Sequence, residues 1–147
     1  MKTASSFFSN DEKLEITKSI MEAELNTSGE VRVHIEGSTK DDVLDRASFI
    51  FKKLKIHKTK LRNGVLFYLA INDRKFAILG DAGINQKVPE NFWEDIKESM
   101  QGFFKDGQFA EGLVSGIKKS GEQLKSHFPY QKDDVNELSD DISFGDK

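Results

Sequence analysis

The sequence predicts an α/β protein, a three-layer α/β/α sandwich whose small mixed sheet combines a βαβ unit with a β-hairpin and is flanked by about four helices. Three observations predict it. Val65-Leu66-Phe67-Tyr68-Leu69-Ala70-Ile71 is an unbroken apolar run of strand length, as expected for a strand buried on both faces. The connector Asn72-Asp73-Arg74-Lys75 and the second run Phe76-Ala77-Ile78-Leu79 complete a hairpin signature. Upstream, Glu30-Val31-Arg32-Val33-His34-Ile35-Glu36 alternates strictly and is followed by a helical pattern. That order implies a right-handed parallel crossover.

The first helix has a capping box, Ser9 with Glu12, preceded by the staple candidates Phe7 and Phe8. Ile16, Ile20, Ala23 and Thr27 share one face, with Leu14 and Met21 beside it. The helix should end near Asn26, before Thr27-Ser28-Gly29. The alternating strand puts Val31, Val33 and Ile35 on one face and Glu30, Arg32, His34 and Glu36 on the other, which predicts an edge strand or one with a wet face. The second helix begins at Asp41 or Asp42, with Val43, Ala47, Ile50, Phe51 and Leu54 as its apolar stripe. A basic loop from Lys55 to Arg62 leads into the hairpin.

Gly80-Asp81-Ala82-Gly83 stops the hairpin, and a third helix starts around Pro89-Glu90 with proline in its first turn. Phe92, Trp93, Ile96, Met100, Phe103 and Phe104 form a core stripe, and Gly107 is the expected C′ residue. The fourth helix carries Ala110, Leu113, Val114, Ile117 and Leu124. Gly112, Gly116 and Ser120, four apart, invite close packing. Residues 1–127 form one domain on this reading. Residues 128–147 form an acidic tail that either stays loose or wraps the domain through Phe128, Tyr130, Ile142 and Phe144.

The net charge of −3 gives no basic footprint for nucleic acid. No segment has the length and apolarity of a membrane span, and the N-terminus lacks the apolar core of a signal peptide, so a cytoplasmic location is expected. The chain has no cysteine, which excludes thiolate chemistry and disulfides. P-loop, nucleophile-elbow and zinc-protease motifs are absent, and His34, His57 and His127 are scattered. Asp134-Val135-Asn136-Glu137 lacks the glycine of a calcium loop.

Topology gives two candidate poles. At the first, Glu30 opens the parallel strand, Asn63 opens the hairpin and Asp81 closes it. These are hard oxygen ligands suited to calcium, magnesium or manganese, and Thr27 and Ser28 could add hydroxyls. At the second, Glu36, Asp41, Asp42 and Asp73 gather at the carboxyl ends of the parallel strands. Capping and turn chemistry explain most of these acids without any ligand.

The chain resembles the TPM-domain family, named partly for thylakoid-lumen acid-phosphatase-like and photosystem II repair proteins. The likeness rests on Phe7-Phe8-Ser9, Thr27-Ser28-Gly29-Glu30-Val31-Arg32-Val33 and Arg62-Asn63-Gly64-Val65-Leu66. It continues with Arg74 to Ile84 and with Phe109-Ala110-Glu111-Gly112-Leu113. The resemblance implies an α/β/α sandwich and a divalent-cation site, with acid phosphatase activity in some members. Carried over by position, it implies metal ligation by Glu30 and Asp81 with Asn63 as neighbour, and Glu111 as a further acid. Many members also carry a signal peptide and a membrane segment, neither of which is seen in this sequence. Two functions follow. The favoured one is a module that binds calcium or magnesium and a protein partner, through the third helix or the acidic tail. The other is a metal-dependent phosphomonoesterase, with Asp81 and Glu30 catalytic and Arg62 pairing with phosphate.

Overall fold

The computed structural model describes residues 3–130 and 138–145. Helices α1 (Ala4–Phe7) and α2 (Asn10–Glu24) lead into β1 (Glu30–Glu36), α3 (Val43–Lys53) and a 3-10 turn at Ile56–Lys58. The hairpin β2 (Gly64–Ala70) and β3 (Lys75–Gly80) follows, then α4 (Ala82–Asn85), α5 (Phe92–Lys105), α6 (Phe109–His127) and β4 (Ser143–Gly145). The sheet order is β3-β2-β1-β4. β1 runs parallel to β2 and β4, and β2 runs antiparallel to β3.

The unbroken apolar run of β2 is explained by two cores. Val65, Phe67 and Leu69 meet α2, α5 and α6 on one face of the sheet. Leu66, Tyr68 and Ala70 meet α3 and the 3-10 turn on the other. The expected three-layer α/β arrangement is therefore present. The small-residue stripe of α6 has the packing role read for it: a Cβ on Gly116 would stand 2.7 Å from Met100 Sδ and 3.0 Å from the Phe67 ring. Gly107, at φ 77°, ends α5 in a Schellman turn, with Gln108 N–H donating to Phe103 O at 2.9 Å and Gly107 N–H to Phe104 O at 3.0 Å.

Several local expectations are corrected. β1 is an interior strand with no wet face: Glu30, His34 and Glu36 are 2%, 5% and 6% exposed. Its outer edge is taken by β4, and residues around β4 cap its polar face. α5 begins at Phe92 rather than at Pro89-Glu90, because Pro89 sits in the preceding turn and its carbonyl accepts the Phe92 N–H at 3.0 Å. Leu14 and Met21 point to solvent, away from the buried Ile16-Ile20-Ala23 stripe. α2 stops at Glu24, with Asn26 left-handed at φ 66°. The Asp81 turn starts a short helix, α4, instead of a loop.

In the tail, Thr27 bridges Pro129, and Ile142 and Phe144 pack on the main core. The acids Asp133, Asp134 and Glu137 lie outside the described residues.

Candidate functional site

The starts of β1 and β2 and the end of β3 meet at one pole, as the topology predicted. Glu30 is in register with Gly64, its N–H donates to Asn63 O at 3.4 Å, and Asp81 N–H donates to Gly64 O at 2.9 Å. The main chain thus brings Glu30, Asn63 and Asp81 together, but their side chains do different work. Asp81 is clasped by Arg62, with Nε–Oδ2 at 2.6 Å and Nη2–Oδ1 at 2.7 Å, and it also accepts the Ala82 N–H at 2.8 Å. That is a two-pronged charge-assisted pair fused to a helix cap. Arg62 holds a left-handed φ of 54°, and its carbonyl accepts the N–H groups of Gly83 and Ile84. Read from sequence, each residue has a separate role, Arg62 toward phosphate and Asp81 toward metal; in the fold they pair with each other.

Glu30 and Asn63 are placed differently. Glu30 Oε1 accepts the Leu138 N–H at 2.6 Å. Asn63 is 1% exposed. Its Nδ2 donates to Ser28 Oγ at 3.2 Å, while its buried Oδ1 accepts no hydrogen bond from the described residues. A buried carbonyl oxygen without a donor is costly unless a ligand or water satisfies it. Thr27 Oγ1 is spent: it donates to the Leu124 and Phe128 carbonyl oxygens and accepts the Gly29 N–H.

Beside Glu30 opens a cleft of about 420 Å³, with Glu24 and Asp140 among its acids and Met21, Leu25 and Tyr130 as apolar walls. Glu24 accepts the Val31 N–H at 2.8 Å. Burial, followed by its hydrogen bond to Asp140, pushes the Glu24 carboxyl up to about 9, so Glu24 keeps its proton near neutrality. Neither was singled out from sequence. Glu24 was findable, because it lies four residues after Ile20 on the inward stripe of α2. Asp140 carried no such signal, since only the docking of the tail brings it here. Among the described residues, no group of three or more histidine, cysteine, aspartate and glutamate side chains is disposed to hold a metal ion. Glu30 and the Asn63 carbonyl are a set of two side-chain oxygens, which alone would leave most of a hard cation's coordination sphere to main chain and water.

The opposite pole is internally matched. Glu36 binds Arg46 through Oε1–Nε at 2.9 Å and Oε2–Nη2 at 2.5 Å, and it accepts the Tyr68 hydroxyl at 2.5 Å. Burial alone would raise its pKa, but the hydrogen bonds from Arg46 and Tyr68 outweigh that and hold the carboxyl down at about 2. His34 stacks near Tyr68, with Nδ1 2.9 Å from Ser143 Oγ and Nε2 3.4 Å from Glu36. Burial lowers the His34 pKa from its ordinary value. Asp42 caps α3 through Leu44 and Asp45 N–H, and Asp73 accepts the Thr39 N–H at 2.7 Å.

Glu111 joins neither pole as a ligand. It is exposed in the first turn of α6. Leu124, which packs on Gly29 beside Glu30, lies thirteen residues further along that helix, roughly 20 Å at the helical rise. The aromatic stripe of α5 belongs to the core: Phe92, Trp93 and Phe104 pack against it, and Trp93 Nε1 donates to Asn85 Oδ1 at 2.7 Å.

These features can be set beside known proteins. We find no match among curated proteins. The BA42 protein of the psychrophilic bacterium Bizionia argentinensis is 46% identical and covers 99% of this chain and 100% of its own, with a TM-score of 0.89. The N-terminal domain of a P. gingivalis protein shares the fold at 19% identity, covering 86% of this chain and 84% of that one, with a TM-score of 0.72. So does the N-terminal domain of the cg2496 protein of Corynebacterium glutamicum, at 11% identity, 88% and 81% coverage and a TM-score of 0.66. The family model described as the TPM domain matches residues 2–123. That match spans most of the chain and includes all three strand ends that meet at the Glu30 pole, so the chain belongs to the TPM domain family.

Proposed function

We propose that this TPM domain is a divalent-cation-binding module that acts through a protein partner in the cytoplasm. The observation that carries the reading is the buried Asn63 Oδ1, without a donor among the described residues, and the buried Glu30, at adjoining strand starts. Glu30 and Asn63 would hold the ion, calcium or magnesium by the hardness of their oxygens, with Asp140 and Glu24 in the cleft alongside. When bound, the cation would supply positive charge among clustered acids. Asp81 could join only by giving up Arg62. The outward Leu14, Met21 and Leu25 and the nearby Tyr130 offer apolar surface for a partner, which the packed face of α5 does not. No helix of the described residues is long and apolar enough to cross a membrane.

Phosphomonoester hydrolysis is the second reading. It would need Asp81 and Arg62, and these neutralise one another in their two-pronged pair. The test is a calcium and magnesium titration of the amide NMR spectrum of the full chain, run beside hydrolysis of p-nitrophenyl phosphate with each ion. Saturable shifts at Glu30, Val31 and Asn63, lost in Glu30→Gln and Asn63→Ala, are expected. Shifts centred on Glu36, Asp42 and Asp73, or none, sink the site. Turnover abolished in Asp81→Ala makes the second reading the correct one.

A further inference from the structure

A second concavity lies at the far end of the molecule, at the carboxyl end of the parallel strands, where open α/β sheets commonly take ligands. It measures about 730 Å³, within the range of small-molecule sites. It is bounded by the end of β2, the hairpin turn, the start of β3, the last turn of α5 and the start of α6. Its floor is apolar and aromatic. Leu69 and Phe76 form part of it, Phe76 meets Phe104 edge-on at 4.9 Å between ring centroids, and Phe104 lies 5.2 Å from Phe109.

Its charge is one-sided. Arg74, Lys75 and Lys105 line it, and no acid does. All three are exposed, and none makes a side-chain hydrogen bond or ion pair among the described residues. Asp73, next in the chain, is turned to the Thr39 N–H instead. In a protein of net charge −3, three uncommitted cations around an aromatic floor stand against the overall balance.

We infer that this cavity binds a free amphiphilic anion, a carboxylate or phosphate monoester carried on an acyl or aryl body. The body covers the Phe76, Phe104 and Phe109 rings, and the anionic head meets Lys75, Lys105 and Arg74. Neither half suffices. An uncharged apolar ligand leaves the cations unanswered, and inorganic phosphate has no surface to bury. The inference is independent of the cation site, which lies at the other pole.

The test is an amide NMR titration of the full chain with decanoate and with octyl phosphate, below their micelle concentrations. Decanol, inorganic phosphate and anionic phospholipid vesicles serve as comparators. The expected result is saturable shifts at Leu69, Ala70, Phe76 and Phe104, with decanol and inorganic phosphate each weaker by about tenfold or more. The variant Lys75→Glu/Lys105→Glu changes two exposed, unpartnered side chains, so its spectrum elsewhere reports an intact fold. It should bind decanoate about tenfold more weakly, or ~1.4 kcal/mol. Any of four results overturns the inference: no saturable binding at millimolar ligand, equal affinity for decanol, unchanged affinity in the variant, or binding to vesicles alone.

Discussion

The two ends of β1 solve the same electrostatic problem in opposite ways. Both carry a buried glutamate, Glu30 at the start and Glu36 at the end. Glu36 is answered by a full guanidinium from α3 and by a phenol from β2. Glu30 accepts, among the described residues, a neutral main-chain N–H from the tail, and its neighbour Glu24 keeps a proton and hydrogen-bonds Asp140. One end is an ion pair completed within the chain. The other is a cluster of acids, Glu24, Glu30 and Asp140, beside Arg32, whose own pKa burial pulls down. Acids matched by a guanidinium are structure, and clustered acids beside a carbonyl that accepts no hydrogen bond from the described residues are where a cation has something to gain.

The largest effect should come from breaking the matched end. Arg46→Ala leaves Glu36 buried without its counter-charge, and urea unfolding at pH 7 should show a loss of about 3 kcal/mol, the range for stranding one member of a buried pair. Acid should erode the same contact. The folded-state pKa of Glu36, about 2, lies below its ordinary value of 4.5, so its stabilisation is present above pH 4.5 and is lost as pH falls toward 2. His34 acts in the same direction: its folded pKa is lowered, so below pH 6.5 the unfolded chain takes the proton first and stability falls. An Arg46→Ala variant as stable as the parent, with an unchanged acid limb, would show that Glu36 is not the matched member of the comparison.

The acid-cluster end should slope the other way. With its folded pKa near 9, Glu24 keeps a proton that the unfolded chain loses from pH 4.5 upward. Its favourable contribution is therefore complete below pH 4.5 and drains away as pH rises through 9. Glu24→Gln keeps the shape and can still donate to Asp140, but it cannot ionise. Thermal melts from pH 6 to 10 should show the parent losing stability and the variant holding level, with a gap on the order of 1 kcal/mol at the alkaline end. Parallel curves would mean that Glu24 is ionised at neutrality and that the two ends of β1 do not differ in this way.

This contrast marks how far the sequence could be read. The three main strands and the parallel crossover followed from local patterns, since an uninterrupted run such as Val65–Ile71 has few other uses. The burial of the polar face of β1 did not follow. Its cover comes from the docked tail at Leu138, Ser139 and Ser143, and its edge is taken by Ser143–Gly145, a three-residue strand too short to carry a period and more than a hundred residues downstream. The convergence of Glu30, Asn63 and Asp81 was legible because strand direction fixes where loops emerge. Their side-chain fates were not, because they depend on the left-handed backbone at Arg62 and on the helix that Asp81 caps, neither of which alternation or spacing reveals. Asp140 illustrates the same limit: its place beside Glu24 is a property of the docked tail and not of any motif around it.

The smallest expected effect concerns Arg62, and it decides where Asp81 belongs. The Arg62 side chain is 52% exposed while that of Asp81 is 6% exposed, so solvent screens the pair from one side only. Arg62→Ala leaves Asp81 still accepting the Ala82 N–H, and a solvent-screened pair of this kind contributes little, so the urea unfolding midpoint should barely move. The variant also frees one carboxylate at the pole where a cation is proposed. If Asp81 remains the cap of α4, calcium affinity should stay within about twofold of the parent, and the cation site is then Glu30 and Asn63 without it. A tenfold rise would show that Arg62 occupies, in the parent chain, the place a divalent ion takes in the variant. Asp81 would then pass from the matched side to the acid cluster, and a single removable guanidinium would separate the two arrangements.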